Sequence, residues 1–206
     1  MQPDESVPEP DSILDPSVRL RYEQSRISND RRHMLFKASR SYVRSLLDPR
    51  NPQPNTLQEA QRTMRKLLVN GYSVDNYVWN EYIVALAQRG SIIDAFTICE
   101  DVLMPQFPGW RDLHPNYYRK DRQGYSWMAL RHYEIRKNSL LPRYHTLVVL
   151  TAALRRVREE ERSGIGYDEK AEAWTREILE RIGPMTTRAI ESMPRTNDLL
   201  QRKVLR

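Results

Sequence analysis

Glycine is scarce in this chain, 7 in 206 residues. All-β folds spend glycines freely at tight turns, so the shortage argues against one. Cysteine is scarcer still. Cys99 stands alone, which excludes a disulfide framework and leaves no thiol cluster to hold a metal. No apolar run is long enough for a membrane-spanning helix: the richest, TLVVLTAAL from Thr146 to Leu154, is about half the needed length. The motifs of familiar active sites are missing too. There is no Gly-rich phosphate loop, HExxH or GxSxG, and His33, His114, His132 and His145 are scattered, none at i, i+4 to another. REEER (Arg158 to Arg162) reads as a mixed charge run on a helix end rather than an acid–base pair. No constellation for catalysis or for a cofactor is visible, and the chain is not expected to be an enzyme.

What the chain does carry is positive charge, unevenly spread. Residues 1–16, MQPDESVPEPDSILDP, hold five of the 27 acids and no Lys or Arg. The other 190 residues therefore set 33 bases against 22 acids, a net +11. A basic surface of that size fits an acidic partner, nucleic acid first and anionic membrane second, against the plain alternative of a solvated basic surface. The acidic, Pro-rich residues 1–16 are expected to be a disordered lead-in. A mitochondrial transit peptide has the opposite composition, Arg-rich and poor in acids. Either no such signal is used or Met1 is not the native start.

The apolar spacing is helical in almost every window, so the expected class is all-α. Trp79, Tyr82, Ile83 and Leu86 follow i, i+3, i+4, i+7 spacing, and Asn80 falls on the flank of that stripe. Cys99 lines up with Ile92, Ala95 and Phe96, as a small core residue does; one reduced thiol is compatible with a cytosol or a mitochondrial matrix.

The layout also repeats. NTLQEAQRTMRKLLVNGYSVDN has a capping-box pattern, Thr56-x-x-Glu59, an apolar stripe of Leu57, Ala60, Met64, Leu67 and Leu68, and a stop at Gly71. RGSIIDAFTICEDVL repeats it 35 residues later, with Ser91-x-x-Asp94 and the stripe Ile92, Ala95, Phe96, Cys99 and Leu103. Gly90 ends the helix before it. DRRHMLFKASRSYVRSLL (Asp30 to Leu47) supplies an upstream partner helix. Downstream, Tyr144, Leu147, Val148 and Thr151 match Trp79, Tyr82, Ile83 and Leu86 in spacing, which puts His145 where Asn80 falls. A partner helix is expected from about Asp168, with Ala171, Trp174, Ile178 and Ile182 as its stripe. The expected architecture is a helical-hairpin solenoid over residues 17–206, two to three degenerate units at about 30–75, 76–110 and 141–183. An inserted helix would occupy 105–140 and a C-terminal extension 184–206.

VWNEYIVALAQRGSIIDAFTICEDVL and LLVNGYSVDN resemble the pentatricopeptide repeat (PPR) family: an aromatic-Asn-x-apolar-Ile opening, a turn with Gly, an acid-Ala-apolar second helix, and a Gly-apolar-x-x-Asp unit end. The likeness covers about 55 residues well, Thr56 to roughly Trp110, and the flanks only in outline. The degenerate units and acidic-then-basic layout are similar to fungal mitochondrial members that act in translation activation or transcript stabilisation. The resemblance implies single-stranded RNA as partner and a location in the mitochondrial matrix. It implies that Asn80 hydrogen-bonds the edge of one base, an amide offering donor and acceptor together. Tyr77 would take the sandwiching place and Asp75 the second coding place of the preceding unit. His145 and Arg143 would take the reading and stacking places of the later unit. The competing reading of Asn80 is a helix-flank amide that pairs locally.

Between Pro105 and Leu141 the rhythm breaks. Trp110 to Lys137 holds six Trp or Tyr and seven Lys or Arg against three acids. Bases that neutralise phosphate beside rings that stack on nucleobases make a second candidate RNA contact, through Arg119, Lys120, Arg122, Tyr125 and Arg131. The other reading is that the aromatics pack and the bases are solvated. A protein-binding adaptor docked on a mitochondrial ribosome or another assembly is the alternative to RNA binding, since solenoid grooves hold extended peptides as readily.

Overall fold

In the computed structural model the chain divides into two compact units, Met1–Tyr82 and Ile83–Arg206. The structure describes residues 13–24, 33–48, 50–51, 55–110, 139–163, 176–178 and 180–193. All regular structure among them is helical, with no strand, as the glycine shortage and the spacing require.

The first unit begins earlier than the composition implies. Ile13 is only 5% exposed, so ordered packing starts inside the stretch expected to be a disordered lead-in. Asp15 starts the first helix, α1 (Pro16–Gln24): its carbonyl accepts the Val18 N–H at 2.9 Å and its Oδ1 the Ser17 N–H at 2.7 Å. Proline at the first helical position loses no hydrogen bond there. Helix α2 (Phe36–Leu47) turns Ser39, Val43, Leu46 and Leu47 inward, and helix α3 (Thr56–Val69) packs against both α1 and α2.

The expected capping box at Thr56 does not form. Asn55, in a left-handed conformation, is the N-cap and its side chain makes no cap bond; Ser91 holds the N-cap place before the fifth helix, also without a side-chain bond. The C-terminal signals hold. At the end of α3, Tyr72 N–H bonds Leu67 O and Gly71 N–H bonds Leu68 O, both at 2.9 Å. After the fourth helix, α4 (Asn76–Gln88), Ser91 N–H bonds Leu86 O and Gly90 N–H bonds Ala87 O. Both are Schellman closures with a left-handed glycine, φ 78° at Gly71 and 89° at Gly90. The unit boundary falls within α4, between Tyr82 and Ile83.

The second unit continues with α5 (Ile92–Ile98), which runs into a π-turn (Cys99–Leu103) and a 3-10 turn (Met104–Gln106). Its expected stripe, Ile92, Ala95, Phe96, Cys99 and Leu103, is buried throughout. Helix α6 (Tyr144–Ser163) packs on α5. Its buried face is Leu147, Leu150, Leu154 and Val157, and Val148 is 38% exposed. The expected match of Val148 with Ile83 therefore fails: the α6 face is rotated toward Leu150. Ile178 is buried as expected, while Asp168, Ala171 and Trp174 lie outside the described residues.

Residues 184–191, expected to belong to a C-terminal extension, form α7 (Pro184–Glu191), packed on α6 and the π-turn. Glu100 of the π-turn caps it from 85 residues away, its Oε1 accepting Met185 N–H at 3.1 Å and its Oε2 accepting Thr186 N–H at 2.8 Å and Thr186 Oγ1–H at 2.7 Å. Trp110 adds a second tie, donating Nε1–H to Ala189 O at 2.9 Å.

Candidate nucleic-acid interface

The start of α4 carries the residues that the resemblance singles out. Asp75 is its N-cap: the carbonyl accepts Trp79 N–H at 3.1 Å, and Oδ1 accepts Tyr77 N–H at 3.2 Å. A carboxylate there satisfies an otherwise unpaired donor and complements the positive end of the helix dipole. Its other oxygen, Oδ2, accepts from Arg40 of α2, from Nε at 2.7 Å and from Nη2 as well. The Arg40 guanidinium lies over the Tyr77 ring, 5.0 Å from its centroid, within cation–π range. Asp75 is buried and spends its carboxylate on holding α4 to α2. It does not face solvent as a coding residue would, and the Arg40 guanidinium covers one face of the Tyr77 ring.

Asn80 departs furthest from expectation. It is 1% exposed. Its Nδ2 donates to Asn76 O at 2.8 Å and to Asn76 Oδ1 at 3.1 Å. Reading a base needs the amide on an open wall, and this one is inside the fold, paired within its own helix. The physical reason lies in α4 as a whole. From Val78 to Ala87 every residue but Glu81 is buried, and a helix apolar nearly all round has no solvent flank to offer. That signal is in the sequence: only Asn80 and Glu81 are polar in that stretch.

Arg143 and His145 lie at the start of α6 in the second unit, both exposed, with the Arg143 carbonyl accepting Leu147 N–H at 3.2 Å. Arg119, Lys120, Arg122, Tyr125 and Arg131 lie outside the described residues. Trp110 is a buried anchor, edge-on to Phe107 at 5.3 Å and Tyr144 at 5.8 Å. No group of acids, histidines or cysteines among the described residues could hold a metal ion. No described helix is long and apolar enough to cross a membrane.

Among the described residues, exposed positive charge clusters on the first unit. In the described part of the first unit, Arg19, Lys37, Arg40, Arg44, Arg50, Arg62 and Lys66 are exposed, against one exposed acid, Asp48. Among the described residues of the second unit eight exposed bases meet six exposed acids, so the excess among described exposed side chains is larger in the first. The signal was available in FKASRSYVRSLL, which has three bases and no acid.

Cys99 stays a core residue. Burial pushes its thiol up from 9.0 to about 12; a hydrogen bond with Thr186 works against the rise and the nearby Glu100 charge adds to it. The folded value lies above the unfolded one. The protonated thiol's contribution to stability is therefore whole below pH 9 and is lost as pH climbs from 9 toward 12. At pH 8 Cys99 in the native chain is expected to react with iodoacetamide more slowly than in denaturant by about a hundredfold or more, since the thiolate is the nucleophile. Comparable rates would place the thiol at the surface instead.

Comparison with models of protein families, with curated proteins and with solved structures finds nothing that matches this chain.

Proposed function

We propose that the chain is a helical-repeat module that binds single-stranded RNA by its phosphates, through the basic surface of its first unit, and does not read bases with Asn80. The observation that carries this is the seven exposed bases against one exposed acid among the described residues there. Phosphate neutralisation is the dominant and sequence-blind part of nucleic-acid affinity. The stacked-hairpin arrangement and the organellar role in positioning a transcript, both implied by the pentatricopeptide resemblance, belong to the same proposal. So does the absence of chemistry: a holder of RNA needs no catalytic constellation.

The test is anisotropy of labelled single-stranded RNA with the full chain at two salt concentrations. With four phosphate contacts the affinity falls roughly 50-fold between about 50 and 200 mM salt, from a slope near 0.7 per contact. Strands of different sequence bind alike. Failure to bind at low salt defeats the proposal, and strong preference for one base defeats its sequence-blind part. A second reading, an adaptor docked on a protein assembly, draws on four large apolar side chains exposed in the first unit, Leu20, Met34, Leu35 and Tyr42. Binding that ignores salt and persists with a protein partner alone would favour it.

A further inference from the structure

Within that basic surface the fold singles out one stripe. Lys37, Arg40 and Arg44 recur on α2 at i, i+3 and i+7, along one flank of a helix that has no acid, and all three are exposed. At the helical rise they span about 10 Å. The middle member is fixed. Arg40 is held by the buried Asp75, a half-exposed guanidinium against a carboxylate that is itself tied down as a helix cap. Behind it lies the Tyr77 ring. Asp75 offsets the charge of Arg40, whereas Lys37 and Arg44 form no ion pair among the described residues. The result is a rigid, flat centre between two uncompensated cations.

We infer that this stripe is the seat of the RNA strand: Lys37 and Arg44 each take a phosphate, and the outer face of Arg40, backed by Tyr77, takes a stacked base. The inference rests on the RNA-binding reading above and narrows it to three side chains. A row of cations matches a strand with phosphates at intervals. The planar guanidinium supplies what an acidic peptide or a lipid headgroup has no use for, a stacking surface. The strand must be single, because a base within a duplex has no face to give.

The experiment compares three forms of the full chain: the parent, Lys37→Ala/Arg44→Ala, and a control in the second unit, Arg155→Ala/Arg156→Ala. The four side chains are exposed and none forms an ion pair among the described residues, so the fold is preserved, which far-UV circular dichroism checks. With labelled single-stranded RNA, the stripe variant is expected to lose about tenfold in affinity, and its salt slope to fall by about 1.4, two contacts at 0.7 each. The control keeps the parent slope. If the parent binds RNA and the stripe variant keeps its slope, the seat is wrong while the RNA reading stands. If the parent binds no RNA, both fall. If poly-glutamate displaces the strand as well as unlabelled RNA does, the occupant is wrong.

Discussion

Replacing Trp110 with alanine is expected to lower the stability of the second unit by about 3–5 kcal/mol, the range for removing a buried tryptophan. The side chain is 4% exposed, and its ring meets Phe107 and Tyr144 edge-on. Its Nε1–H is also the donor to Ala189 O. Truncation therefore opens a cavity and strips a partner from a carbonyl near the end of α7. Trp110→Phe separates the two effects. It keeps most of the ring contact and loses only the hydrogen bond, worth about 1 kcal/mol. Urea unfolding followed by circular dichroism gives the totals. Amide exchange in α7 shows whether the loss is local to that helix, since a chain with two units need not unfold in one step. A Trp110→Ala protein as stable as its Trp110→Phe counterpart would show that the ring is not an anchor.

Sequence pattern reaches as far as local rules do. Gly71 and Gly90 mark helix ends because a left-handed C′ residue is a local requirement, and both sit where an apolar stripe stops. The stripe from Ile92 to Leu103 is buried in full because helical periodicity is local too. The failures have a different character. Helix α1 has no apolar stripe to announce it; among the described side chains there, Val18 and, just before the helix, Ile13 are the buried ones. The stripe Trp79, Tyr82, Ile83 and Leu86 puts Asn80 on a flank only if α4 has one buried side, whereas its composition is that of a helix buried nearly all round. Val148 turned outward because the α6 face follows Leu147, Leu150 and Leu154, a choice between two overlapping stripes that only packing decides. The partnerships that define the candidate site and α7 lie beyond any sequence window. Arg40 and Asp75 are 35 residues apart, Trp110 and Ala189 are 79 apart, and Glu100 and Thr186 are 86 apart.

The last of these pairs leads to the second large effect. Glu100→Ala is expected to cost about 2–4 kcal/mol, because hydrogen bonds to an ionised group are the stronger kind and three are lost together. The accounting of the first turn of α7 is complete only with Glu100 in place. Pro184 has no N–H, Met185 and Thr186 donate to the Glu100 carboxylate, and Thr187 donates to Gly183 O at 3.1 Å. Gly183, the N-cap, has no side chain with which to replace it. Gly183 also makes the close approach possible. A Cβ there would stand 2.1 Å from Glu100 Cδ and 2.3 Å from Oε2. Its backbone, φ −65° and ψ 141°, suits any residue, so an alanine would be excluded by space and not by conformation. Because the obstacle is the end of a flexible side chain, Gly183→Ala removes the clash by pushing the carboxylate away and loses the same bonds. The two substitutions therefore should not add. With Glu100→Ala already present, Gly183→Ala changes stability by no more than about 0.5 kcal/mol, though alone it costs nearly as much as Glu100→Ala does. A double-mutant cycle in urea measures this directly, and additive costs would mean that the carboxylate and the glycine act independently, contrary to the capping of α7 from the π-turn.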